Sequence, residues 1–139
     1  MIVVDTWGAL ALRDRADPLH DATRKVLATD GGPFLLSPFC LAEIDYLLGR
    51  HVGQAEQLDF LEEVVSGVYT LVRLGTEEVA RGRQVVTQYA DLRLSLADAS
   101  IVVLAELFDT DRILTSDERD FRAVTRSDGR PFTLLPADS

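Results

Sequence analysis

The chain has 139 residues, 47% of them hydrophobic, and a net charge of −9 from 23 acidic and 14 basic side chains. That is enough chain for one domain with a real core, and the apolar content excludes disorder. No apolar run approaches the ~20 residues of a membrane helix, no signal-peptide pattern opens the chain, and the single cysteine, Cys40, excludes an intrachain disulfide and makes a cysteine-based zinc site implausible. A cytoplasmic protein with no membrane partner is expected.

Five short runs rich in β-branched or aromatic residues read as strands, at 2–4, 34–36, 68–73, 112–115 and 132–135. Helical periodicity fills the stretches between them. Pro18 to Thr29 places Leu19, Ala22, Val26 and Leu27 on one face. Ser37 reads as an N-cap with Pro38 at the first helical position, opening a helix to about Leu48 that Gly49 should stop. A helix from about Val52 to Val65 should end at Gly67. Thr76 to Asp91 follows, with Val79, Val85, Val86 and Tyr89 facing inward. Leu96 to Phe108 is apolar nearly all round, so it should be a buried central helix. A short helix should hold Phe121 and Val124. Strands separated by helices predict one α/β domain over residues 1–139, with a parallel sheet of about five strands covered on both faces.

Four acids stand where this pattern calls for apolar or capping residues. Asp5 ends Ile2-Val3-Val4, Glu43 lies within Leu41-Ala42-Glu43-Ile44, Asp98 within Leu96-Ala97-Asp98-Ala99, and Asp117 follows Ile113-Leu114-Thr115-Ser116. Three have a structural reading of equal standing. Asp5 would cap a helix starting near Thr6, Ser95 and Asp98 match a capping box, and Asp117 would cap the short helix after it. Glu43 resists that reading, because it shares a stripe with Cys40, Ile44, Leu47 and Leu48, whereas Asp45 points away to solvent. An unpartnered buried carboxylate is costly.

Ligands in such folds bind beyond the carboxyl ends of the strands, where Asp5 and Asp117 fall directly. Converging carboxylates raise one another's pKa. A divalent cation relieves this, and oxygen-only ligands select Mg²⁺ or Mn²⁺. The chemistry implied is phosphodiester hydrolysis without a covalent intermediate. Thr6, Ser37, Thr115 and Ser116, at strand ends, would either hold acids and water or act as ordinary caps. Trp7 reads as core, although its place beside the first acid leaves a base-stacking role open. His20 and His51 read as surface residues, and Cys40 as core packing.

The net charge speaks against a nucleic-acid partner, but metal ions would alter the local field. Between Arg112 and Arg130 five arginines (Arg112, Arg119, Arg122, Arg126, Arg130) face four acids (Asp117, Glu118, Asp120, Asp128), a slightly basic stretch in an acidic chain.

Ile-Val-Val-Asp5-Thr6, Ser37-Pro38-Phe-Cys-Leu-Ala-Glu43, Leu96-Ala97-Asp98-Ala99 and Thr115-Ser116-Asp117-Glu-Arg-Asp120-Phe121 together resemble a PIN-domain ribonuclease, and more narrowly the VapC toxins of bacterial type II toxin–antitoxin pairs. The resemblance spans essentially the whole chain. It implies an α/β/α sandwich and a Mg²⁺-dependent endoribonuclease in which Mn²⁺ can substitute. Asp5 and Asp98 would be the main metal ligands, Glu43 would complete or support them, and Asp117 would bind a second ion or orient water. Asp120 competes with Asp117 for that fourth role. The resemblance also implies structured RNA as substrate (the ribosomal sarcin–ricin loop or tRNA), a VapB-like antitoxin and a homodimer. RNA phosphates are expected at Arg112, Arg119 and Arg122.

Three other folds that gather acids or nucleotides fit less well. A receiver domain would need a lysine at its last strand, and the only lysine is Lys25. A haloacid-dehalogenase-like phosphatase would need a second acid two residues after Asp5, where Trp7 stands. A dinucleotide-binding domain would need a glycine-rich loop after Val4. The strongest rival keeps the fold and drops the chemistry: a catalytically vestigial protein–protein interaction module.

Overall fold

Three consecutive apolar residues with no polar alternation mark a strand buried on both faces, and β1 (Ile2–Val4) is fully buried. The structure is a computed structural model that describes residues 1–139. Four further strands, β2 (Phe34–Leu36), β3 (Thr70–Leu71), β4 (Arg112–Leu114) and β5 (Thr133–Leu135), join β1 in a parallel sheet of order β3-β2-β1-β4-β5. The register pairs Val4 with Leu36 on one side and with Leu114 on the other. The chain therefore leaves β1 toward β2 and β3, then returns across it to β4 and β5. That reversal puts a crevice at the carboxyl ends of β1 and β4.

The helices are α1 (Thr6–Arg13), α2 (His20–Thr29), α3 (Pro38–His51), α4 (Gln54–Ser66), α5 (Thr76–Gln88), α6 (Leu96–Leu107) and α7 (Glu118–Ala123), with a single 3₁₀ turn at Ala90–Leu92. They flank the sheet in the expected α/β/α sandwich. As its composition predicts, α6 is the central helix, buried from Ala99 through Ala105.

Several local expectations are corrected. Gly49 does not stop α3, which continues to His51. A helical glycine costs only about 1 kcal/mol, and here the missing side chain makes room for Gln57 of α4. The following turn ends the helix, with both Val52 and Gly53 N–H groups donating to the Leu48 carbonyl. The 68–73 run shrinks to a two-residue edge strand, with Tyr69 buried against Phe60 at a 5.2 Å ring separation. In α5, Gly82 rather than Val79 faces inward, so that Leu96 can approach. Leu19 and Ala22 are exposed on α2, where Thr23 and Val26 take the inner positions. Trp7 is not core: it is 45% exposed on the outer side of α1.

One contact sets how closely α1 sits over the sheet. A Cβ added at Gly8 would fall 2.2 Å from the Leu114 carbonyl oxygen of β4. Gly8→Ala should therefore lose roughly 2 kcal/mol or more of stability by overpacking, despite the better helix propensity of alanine. Denaturant melts check this, and an unchanged or raised midpoint would contradict the close approach.

Candidate active site

The crevice at the switch point is lined by the carboxylates of Glu43, Asp98, Asp117 and Asp120, together with Trp7, Tyr46, Leu47 and Ser95, around a cavity of about 480 Å³. Three helices supply these acids. Glu43 comes from the middle of α3, Asp98 from the first turn of α6, Asp117 from the N-cap of α7 and Asp120 from its first turn. Asp5, the N-cap of α1, is 1% exposed, so it lies inside the protein rather than on the cavity wall. Even so, its charge and that of Asp98 repel.

Capping and site-building are one arrangement here. Asp5 accepts a hydrogen bond from the Trp7 N–H at 3.4 Å. Asp98 accepts from the Ser95 N–H at 3.0 Å, while Ser95 Oγ accepts from the Asp98 N–H at 3.1 Å. Asp117 accepts from the Asp120 N–H at 3.3 Å. Each cap fixes a carboxylate at the positive end of a helix and aims the three helices at one place. The Glu43 side chain makes no hydrogen bond or ion pair, and it is half-buried on the cavity wall rather than enclosed with Cys40, Ile44 and Leu48. Asp45, expected to be solvated, instead accepts from Gln57 Nε2 at 2.8 Å.

Thr115 ties the deepest acid to the fourth one. Its hydroxyl donates to Asp5 Oδ2 at 2.7 Å and accepts from the Asp117 N–H at 2.9 Å. Ser37 serves as a helix cap, accepting from the Phe39 N–H and from Ser100 Oγ. Ser116 makes no side-chain hydrogen bond, and the buried Thr6 hydroxyl has no partner. Cys40 is buried, and burial first, then the charge of Asp5, pushes its thiol up to about 12, which makes it inert as a nucleophile.

Burial is also the main cause that raises the Asp5 carboxyl from 3.8 to about 7, and the Thr115 hydrogen bond opposes it. Asp120 is raised as well, by desolvation and then by the negative Asp117 and Asp98. These acids repel across a shared space. The side chains line that space without any three being drawn close enough to chelate an ion as they stand. A hard divalent cation nevertheless fits the donors: all are oxygens, two are held above the ordinary carboxylate range, and Glu43 is unpartnered. Both Asp117 and Asp120 reach the cavity, so the structure brings together both residues proposed for the fourth position.

Of the three arginines expected to meet RNA, only Arg119 is free of ion pairs. Arg112 lies at the amino end of β4, away from the acids, and is bound to Asp30 at 2.6 Å. Strand polarity decides this, because the acids stand at the carboxyl ends. Arg122 is taken up by Asp138 at 2.6 Å and by Glu118 at 3.0 Å. Arg126 and Arg130 are likewise held by Asp109 and Asp128. A second cavity, of about 460 Å³ between α1, α2 and α4, contains none of the candidate acids, and its Arg13 is paired with Glu56 and Glu63. His20 lines that second cavity and hydrogen-bonds the Ala11 carbonyl.

The sequence singled out all five acids and, of the cavity walls, Trp7 beside the first acid and Leu47 on the stripe of Glu43. Tyr46 was missed, although it follows Glu43 by three residues, a spacing that would have placed it alongside. Ser95 was visible as a cap only.

Comparison with known proteins gives a consistent picture. The family model described as PIN domain matches residues 2–127. Ribonuclease VapC26 of Mycobacterium tuberculosis is 36% identical over 135 residues, covering 97% of this chain and 100% of the relative. The crystal structure of Mycobacterium tuberculosis VapC20, described as a sarcin–ricin loop cleaving toxin, superposes with a TM-score of 0.83 over 94% of this chain and 100% of that one. At 21% identity that likeness is one of fold.

The raised Asp5 carboxyl makes a stability prediction with a definite sign. Below its ordinary value near 3.8, Asp5 is protonated folded or unfolded and contributes nothing. Between about 4 and 7 the unfolded chain releases the proton that the fold retains, so stability falls as pH rises and the full cost is reached above 7. Asp5→Asn, measured in chelator, should therefore raise the melting temperature at pH 8 by an amount equivalent to a few kcal/mol, roughly. Near pH 4 it should change little. An equal shift at both pH values would contradict the buried, proton-retaining carboxyl.

Proposed function

The chain belongs to the PIN-domain family, and from that premise we propose that it is the toxin of a type II toxin–antitoxin pair, an endoribonuclease that hydrolyses structured RNA with Mg²⁺ or Mn²⁺. The observation that carries the reading is the convergence of Glu43, Asp98, Asp117 and Asp120 on one cavity at the strand-order switch, with the buried Asp5 charge acting on Asp98 from behind it. Near-full-length similarity to a VapC ribonuclease supports the reaction class.

In this reading Asp5 and Asp98 are the main ligands, Glu43 completes the set, and Asp117 or Asp120 provides the fourth carboxylate. The bound ion would supply charge to the scissile phosphate and lower the pKa of the attacking water. The protein's own groups hold the geometry. Thr115 keeps Asp5 and the Asp117 backbone in register, and Ser95 fixes Asp98. Asp120, raised by desolvation and then by the negative Asp117 and Asp98, shares the fourth position with Asp117. Arg119, beside Asp120 and free of ion pairs, is the arginine suited to a substrate phosphate. A VapB-like antitoxin and a second copy of the chain complete the proposal. The apolar side chains Leu58 and Val65 on α4, Val68 in the turn after it and Leu71 on the edge strand are exposed and offer surface for a protein partner.

Purified protein should cut total bacterial RNA into discrete fragments in Mg²⁺ or Mn²⁺ and not in chelator, and fragment size will separate ribosomal from tRNA targets. Asp98→Asn should reduce the rate by at least about a hundredfold without lowering the melting temperature. Wild-type rates in that variant would sink the ligand assignment. Arg119→Ala should weaken RNA binding and lower its salt slope by about one. Arg122→Ala should act on stability instead, because it unties Asp138 and Glu118.

A further inference from the structure

The acidic cavity has an aromatic rim that the hydrolytic reading does not use. Trp7 is 45% exposed and Tyr46 is 59% exposed, and both line the same cavity as Glu43, Asp98, Asp117 and Asp120. Large aromatics left this open at a polar cavity are not there for core packing. Neither ring stacks on another aromatic, since Phe60 and Tyr69 form the one ring pair. One face of Tyr46 carries the Arg50 guanidinium, 5.8 Å from the ring centroid, which leaves the opposite face for a flat ligand.

Charge narrows what that ligand contributes. A chain of net charge −9 gains little from long-range attraction to phosphates, and four of the five arginines between 112 and 130 are consumed by ion pairs. Contacts that do not depend on charge would then add affinity that Arg119 alone does not supply. Base–aromatic stacking is such a contact, and a base buried in a duplex cannot make it.

We propose that Trp7 and Tyr46 form a stacking site for an unpaired nucleobase next to the scissile phosphate. This rests on the ribonuclease reading and makes Trp7 and Tyr46 positioning residues, with the carboxylates left to do the chemistry. Tyr46 lies one helical turn beyond Glu43, and Trp7 lies two residues beyond Asp5. A base held between them places its neighbouring phosphate near the acids. Binding should accordingly be only weakly salt-dependent for a nuclease.

Trp7 is the only tryptophan, so its fluorescence reports directly on the site. The test titrates the full-length Asp98→Asn protein in Mg²⁺ with three probes: a single-stranded RNA heptamer, its abasic counterpart and a blunt RNA duplex. In parallel, wild type and the Trp7→Ala and Trp7→Phe variants cleave an RNA hairpin. Quenching by the heptamer alone is expected, with a KM about tenfold higher in Trp7→Ala, a nearly unchanged kcat and recovery in Trp7→Phe. Cleavage with no quenching and an unchanged KM would overturn the stacking site and leave the nuclease standing. Quenching without any cleavage would support the base site and overturn the nuclease. Equal quenching by abasic and base-bearing RNA would overturn the proposal, as would the absence of both signals. A melting curve of Trp7→Ala guards against misfolding, which the exposure of the side chain argues against.

Discussion

A carboxylate buried at the end of the central strand is the constraint on which the rest of this molecule turns. Asp5 follows three fully buried residues and is itself almost wholly out of contact with water. The fold accommodates it through the Thr115 hydroxyl and the first N–H groups of α1, which offset part of the desolvation cost. Those contacts require β4 to lie beside β1 and α1 to start without delay, and Gly8 lets α1 sit almost on the β4 carbonyl. The same local geometry that makes Asp5 tolerable thus fixes the two strands, the helix and the crevice between them.

The surrounding acids follow a related logic. Asp5 and Asp117 are ordinary N-caps and Asp98 is the third-position acid of a capping box, and all three are also walls or floor of a charged site, so no choice between the two readings is needed. A cap must point its oxygen at the first turn of its own helix. When three such helix ends meet at the carboxyl edge of a parallel sheet, their carboxylates meet as well. Desolvation raises both Asp120 and Asp5, and the mutual repulsion adds to each shift. A stability cost of this kind at a concave site marks function better than any single residue does. Glu43, half-buried with neither cap nor ion pair, leaves its carboxylate open to the cavity.

The distribution of cations is equally informative. An arginine-rich stretch in the linear sequence resembles a phosphate-binding strip, but folding assigns most of its guanidinium groups to Asp30, Asp109, Asp128 and Asp138. Those pairs tie the carboxy-terminal segment to the sheet, and Arg126 is buried in the process. What faces the acidic cavity instead is aromatic surface with few free charges. The molecule therefore combines strong negative charge where chemistry is expected with apolar platforms at its edge.

The strand and helix order, the parallel sheet, the buried α6 and the acids at strand ends were all legible in the linear chain. They depend on periodicity, capping and the rule that a two-face-buried strand is continuously apolar, all of which are local. Glu43 was legible too, because a mid-helix charge on an apolar stripe violates its own local pattern. The course of α3 through Gly49, the outward turn of Trp7 and the pairing of Arg112 with Asp30 were not. Each depends on what a distant segment places opposite: the Gln57 side chain, the packing of α1 beside α3, and the end of β4 at which an arginine emerges. By itself the sequence determined which residues are costly to bury and which helix ends they cap. Only the tertiary structure decided which of those costs share one cavity, because strand order and polarity, not spacing along the chain, set which ends of the elements meet.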